Sequence, residues 1–145
     1  MIKTIPFIII ATMAAIGGCS TSCSHGANLP LSEKFINAEI QVESSGRDNA
    51  IGDNGKALGA LQIHKKCWQD AVEFDHSISG SYTNCFNRSY SIKIMTSYLN
   101  RYCARAIREN NFEVMARNWN GGSFGPNNPR TLNYWLKVKK EMKIK

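Results

Sequence analysis

The sequence lacks an arginine-rich run, any interleaving of aromatic and basic residues, an internal repeat, and an apolar stretch of membrane-crossing length. The first two absences argue against a nucleic-acid module and the third against a solenoid. The longest apolar run, Phe7 to Ile16, falls short of the roughly 20 residues that a spanning helix needs. Five cysteines stand at positions 19, 23, 67, 85 and 103, in spacings that fit no zinc or redox motif. No metal or organic cofactor is implied.

What is present is the composition of a globular protein, with 43% hydrophobic residues, 10% aromatic residues and three tryptophans. The formal net charge of +7 suits a polyanionic partner without choosing among cell wall, anionic lipid and nucleic acid. The basic tail Lys137, Lys139, Lys140, Lys143 and Lys145 has the pattern of a solvated helix face.

Residues 1–18 have the layout of an export signal, with Lys3, then an apolar stretch, then small residues. Ile16-Gly17-Gly18-Cys19 resembles a bacterial lipobox, which implies lipidation of Cys19 and a lipid anchor to the membrane; ordinary secretory cleavage after a small residue is the alternative. Residues 19–30 then serve as a tether and spacer, and 31–145 as one domain of the exported protein. In an oxidising compartment one disulfide is expected among Cys67, Cys85 and Cys103, with the pair undetermined.

The domain reads as mainly helical. Ser32 caps a first helix that carries Phe35, Ile36, Ile40 and Glu43 at helical spacing until Gly46. Gly52-Asp53-Asn54-Gly55 is dense turn chemistry, which predicts a hairpin or looped excursion with an extended piece over 60–63. Further helices are predicted over 65–74, over 91–107, over 111–119, and from Pro129 or Arg130 onward.

Glu43 places a carboxylate among apolar neighbours at a helix C-terminus. Desolvation and the helix dipole both favour its protonated form there, and such an acid can protonate a glycosidic oxygen. The plain alternative is a glutamate fraying into solvent, with Glu39, one turn earlier, as the rival carboxylate.

Val42 to Ser45, Gly59-Ala60-Leu61-Gln62-Ile63, Asn118-Trp119-Asn120-Gly121-Gly122 and Thr131 to Val138 occur in that order. This series resembles the signature of the lysozyme superfamily. It is similar to the E-S-S, G-L-M-Q and Y-N-A-G motifs of lytic transglycosylases, and closer to the V-E-S-G, G-x-F-Q-I, H-N-G-G and T-L-x-Y-W-x-K-V motifs of invertebrate-type (destabilase-like) lysozymes.

The resemblance implies an α+β lysozyme-like fold, with helices around a glycan cleft beside a small hairpin region. It also implies muramidase activity on the β-1,4 bond between N-acetylmuramic acid and N-acetylglucosamine in peptidoglycan. Glu43 matches the catalytic acid, and Gln62, Asn120 and Tyr134 match positions lining the sugar cleft. Trp119 stands where the invertebrate-type enzymes have histidine, and either packs inward or flanks a sugar. His64 follows the glutamine motif and reads as a lone exposed histidine.

Asp53 matches the second carboxylate of the invertebrate-type enzymes across a loop about two residues shorter than theirs; it is either catalytic or a builder of its turn, with Asp48 in reserve. Without a second carboxylate, transglycosylation to an anhydro end is the alternative chemistry. A lipid-anchored module that binds wall glycan without cutting it, and a basic adhesin for anionic polymers, are the alternatives of other classes.

Overall fold

The structure, a computed structural model, describes residues 28–144. The export signal over 1–18, Cys19, Cys23 and most of the expected tether lie outside the described residues. The described chain is anchored from its start: Asn28 donates its side-chain N–H to the Asp75 carboxylate at 2.7 Å, and Asn100 accepts the Leu29 backbone N–H at 2.8 Å and donates to its carbonyl at 2.9 Å.

Among the described residues, five α-helices and a three-stranded sheet follow in the order α1 (Glu33–Ser44), β1 (Ile51–Gly52), β2 (Ala57–Leu58), β3 (Ile63–His64), α2 (Lys65–Phe74), α3 (Arg88–Arg108), α4 (Phe112–Gly121) and α5 (Leu132–Glu141). Short 3-10 turns occupy Asp53–Gly55, Tyr82–Phe86, Gly125–Asn127 and Pro129–Thr131. The expected α+β architecture is the one observed.

Helix α3 is the centre of the core, because its stripe of Ile94, Met95 and Leu99 is fully buried. Helices α2 and α4 pack against it, and α5 packs against α1 and α4. Phe35 of α1, Leu61, Ile63, Met115 of α4, and Val138 and Met142 at the end of the chain complete this interior. The expected second helix has the bounds observed for α2. Helix α3 begins three residues before the expected start, where Asn87 caps it by accepting the Tyr90 N–H. Its backbone leaves helical geometry at Cys103 (φ −147°, ψ 37°).

The turn-rich segment forms the small sheet. Strands β1 and β2 pair antiparallel with Ile51 opposite Leu58, and β2 pairs antiparallel with β3, Leu58 opposite Ile63. The Tyr82 hydroxyl lies 2.7 Å from the carbonyls of both Lys56 and Ile63, which holds β2 and β3 against the helical part. The extended piece is later than expected, because Gly59 and Gln62 take left-handed backbone (φ 76° and 47°) and make 59–62 a turn.

The expected disulfide is not formed: Cys67, Cys85 and Cys103 are free thiols. They sit on α2, the Tyr82–Phe86 turn and α3, packed as small apolar side chains in or against the core. Burial pushes the Cys85 and Cys103 thiols up to about 12 and that of Cys67 upward as well, which favours the thiol over the thiolate at all three.

Candidate active site

Helix α1 ends by turning left-handed at Ser45 (φ 55°) and Gly46 (φ 82°), and the Ser45 N–H closes back on the Gln41 carbonyl at 3.0 Å. This stop puts Glu43 in the last helical turn, where unpaired carbonyls make a negative charge unfavourable. Glu43 opens into a groove of about 430 Å³ lined also by Asp53, Gln62, His64, Cys67, Trp119 and Asn120. Residues from α1, the β1–β2 turn, β3, α2 and α4 therefore share one cleft between the small sheet and the helices.

The sheet side of this groove is built by glycines. Gly59 (φ 76°) passes so close to the Tyr82–Phe86 turn that a Cβ would lie 1.9 Å from the Cys85 carbonyl oxygen. Its own carbonyl accepts the Gln62 side-chain N–H at 2.9 Å, which fixes the amide in the cleft. Gly52 leaves the space that the other end of this amide fills: a Cβ there would come within 2.1 Å of Gln62 Oε1.

Asp53 stands at the start of the turn with φ 46°, a conformation that Asp tolerates better than most residues. Its carboxylate meets His64 Nε2 at 2.8 Å across the mouth of the groove. His64 is thus not the lone histidine expected from its position. The pairing β2–β3 sets Ala57 opposite His64 and brings the imidazole over the turn, a contact between residues 11 positions apart. Asp48, the reserve carboxylate, lies outside the groove and pairs with Arg88 at 2.7 Å.

Trp119 of α4 both packs and lines the cleft. Its ring meets Tyr98 edge-on at 5.7 Å between centroids, and its other side faces the groove beside Asn120. Asn118, one position earlier, is buried. The Gly121 that follows fits against Thr131, whose methyl group would lie 2.6 Å from a Cβ.

Behind the groove lies a second layer that the sequence reading did not assemble. The Tyr134 hydroxyl of α5 lies 2.6 Å from Glu43 Oε1 and is also hydrogen-bonded to Glu39. Tyr134 is not among the residues lining the groove; its hydroxyl reaches the Glu43 carboxyl from behind it. Glu39 is fully buried on the inner face of α1. The four-residue spacing of Glu39 and Glu43 was the available signal, since it stacks both carboxyls on one helical face.

Burial pushes the Glu43 carboxyl above its ordinary value, opposed by donation from Tyr134 and Trp119 and by the nearby His64, and assisted by the Asp53 charge. Burial raises Glu39 well above the ordinary range, and the neighbouring Glu43 adds to the rise. The cleft thus holds an acid that keeps its proton beyond the usual carboxylate range, facing a second carboxylate and neutral amide donors.

No protein-family model matches the chain. It is 32% identical over 83 residues to invertebrate-type lysozyme 6 of Caenorhabditis elegans, a match covering 54% of this chain and 59% of that protein. The chain thus spans about three-fifths of the curated relative it matches. Among solved structures it is similar to Tapes japonica lysozyme, with a TM-score of 0.63 and 27% identity over 76% of this chain and 89% of the other. It shares its fold with the inhibitor-bound lysozyme of Meretrix lusoria, with a TM-score of 0.61 and 24% identity over the same shares, 76% and 89%. In sequence and in fold, the chain resembles the invertebrate-type lysozymes.

Proposed function

We propose that this chain, resembling invertebrate-type lysozymes, is an exported muramidase that hydrolyses the β-1,4 bond between N-acetylmuramic acid and N-acetylglucosamine in peptidoglycan. The observation that carries the reading is Glu43: a carboxyl with a raised proton affinity, aimed into a groove shared with Asp53, Gln62, Trp119 and Asn120. Protonating a glycosidic oxygen requires such an acid, and holding a neutral sugar requires amides and an aromatic face.

In this reading Tyr134 engages Glu43 Oε1 and the other carboxyl oxygen delivers the proton. As the leaving sugar departs, Glu43 becomes an anion, and the Tyr134 hydroxyl stabilises it. Asp53 supplies the second carboxylate, as nucleophile or as the base that activates water, and His64 holds it oriented toward the cleft mouth. Gln62 and Asn120 hydrogen-bond the sugar, and Trp119 offers it the edge of a partly packed ring. Export rests on residues 1–18 and attachment to the membrane on lipidation of Cys19.

The deciding experiment incubates the protein and its Glu43→Gln variant with purified peptidoglycan and identifies the new chain ends. Reducing muramic ends from the parent, reduced at least ~100-fold in the variant, are expected. Anhydro ends would replace hydrolysis by transglycosylation. Glycan binding with no new ends of either kind would leave a wall-binding module and end the enzymatic reading.

A further inference from the structure

Three oxygens stand in line behind the groove: one of the Glu39 carboxyl, the Tyr134 hydroxyl, and Oε1 of Glu43. A phenol has one hydrogen to give, and two ionised carboxylates would both require it. At least one carboxyl must therefore carry a proton and donate to the phenol oxygen. Two arrangements satisfy the chain. Either Glu39 is the neutral acid and the phenol hydrogen goes to Glu43, or Glu43 is the donor and the hydrogen goes to Glu39.

The surroundings choose between them. Glu39 is 0% exposed, and the groups facing it are Glu43 on its own helix and Tyr134 from α5, neither of them a cation. Its second oxygen, Oε1, has no hydrogen-bond partner. An unpartnered buried oxygen is far less costly as the carbonyl of a neutral acid than as half of a carboxylate. Glu43 by contrast meets Trp119 from α4, His64 from β3 and Asp53 from the β1–β2 turn, and opens to the groove, where solvent reaches it.

We propose that Glu39 is a positioning residue for Glu43: held as a neutral acid, it donates to Tyr134 and so commits the phenol hydrogen to Glu43. The chain ends in an acid that does not compete for that hydrogen. The Tyr134 donor is then already aimed at Glu43 when the proton leaves it, with no hydroxyl to reorient during the reaction. Donation into the phenol oxygen also strengthens the donation out of it. This role rests on the muramidase reading for its catalytic consequence, but the protonation of Glu39 does not.

Two measurements test it. The first is the alkaline limb of the pH–activity profile on peptidoglycan, which reports the ionisation of Glu43. In Glu39→Gln the limb stays within about 0.3 pH units of the parent, because an amide N–H replaces the acid as donor to Tyr134. In Tyr134→Phe, which removes the donor, the limb moves up by about half a unit or more, since the Glu43 anion loses stabilisation. In Glu39→Leu the phenol hydrogen still has Glu43 as its acceptor and only the reinforcing donation is lost, so the limb rises by less than in Tyr134→Phe. A Glu39→Gln limb displaced by a unit in either direction, or a Tyr134→Phe limb unmoved, overturns the proposal.

The second measurement needs no activity and no Leu variant. Infrared spectra of the protein near neutral pH should contain a protonated-carboxyl stretch that is absent from Glu39→Gln and retained in Glu43→Gln. If the parent lacks the band, or Glu39→Gln keeps every such band, the proposal falls even for an active muramidase. If the band behaves as expected in a protein that cuts no glycan, the muramidase reading alone fails.

Discussion

Adding one methyl group at Gly59 should unfold the cleft from its sheet side, and the same methyl at Gly55 should not. Both glycines have positive φ, 76° and 89°. Alanine in that left-handed region costs about 1–2 kcal/mol at either site, offset by roughly 0.5 kcal/mol from the smaller entropy of the unfolded chain. At Gly55 nothing lies within 4 Å of the new Cβ, so the expected loss is about 1 kcal/mol.

At Gly59 the Cβ would meet the Cys85 carbonyl oxygen at 1.9 Å and its carbon at 2.8 Å. These are backbone atoms, held in place by the Tyr82–Phe86 turn, so the main chain must move at an added cost of about 1–3 kcal/mol. The total of about 1.5–4.5 kcal/mol corresponds to a fall in Tm of roughly 6–18 °C for a domain of this size. Thermal and urea unfolding of the two variants beside the parent give the comparison. The same shift should release Gln62, whose side-chain N–H is held by the Gly59 carbonyl. Equal losses in the two variants would refute the claim that backbone contact, rather than left-handed strain, dictates glycine at position 59.

Ionisation makes a second prediction. The folded values of Glu39 and Glu43 are raised, so these groups favour folding below the unfolded carboxyl value of about 4.3, and that contribution is lost as pH rises through their folded values. Urea unfolding at pH 5 and pH 8 should show the parent losing stability with rising pH, and Glu39→Gln losing less. Asp53→Asn keeps the side-chain geometry its turn can use but removes the charge; turnover of peptidoglycan should drop ~100-fold or more while Tm changes little. An Asp53→Asn enzyme of parental turnover would assign Asp53 to the turn alone. For the thiols, alkylation in denaturant without reductant should label peptides carrying Cys67, Cys85 and Cys103 completely, and any of them left unlabelled would contradict their free state.

Local sequence determined the helices and the Gly46 stop of α1. Apolar spacing predicts α2 with its observed bounds, and it predicts α3 and α4 to within a few residues, because an amphipathic face can be read from one segment alone. Ser45 and Gly46 end α1 for a reason equally local, the left-handed turn that follows Glu43. The order of short motifs also brought Glu43, Gln62, Trp119 and Asn120 to one expected cleft, and they line one groove.

What tertiary structure decided is which groups meet. His64 reaches Asp53 only through the β2–β3 register, and Tyr134 reaches Glu39 and Glu43 only because α5 packs against α1 across more than 90 positions of chain. The expected disulfide failed for the same kind of reason: cysteine count and compartment say nothing of whether two sulfurs end within bonding distance, and here packing leaves all three as free thiols. Periodicity can say that a carboxyl faces inward. Whether it finds there a cation, water, or a tyrosine shared with a second acid depends on helices placed far away in sequence, and that contact sets its charge.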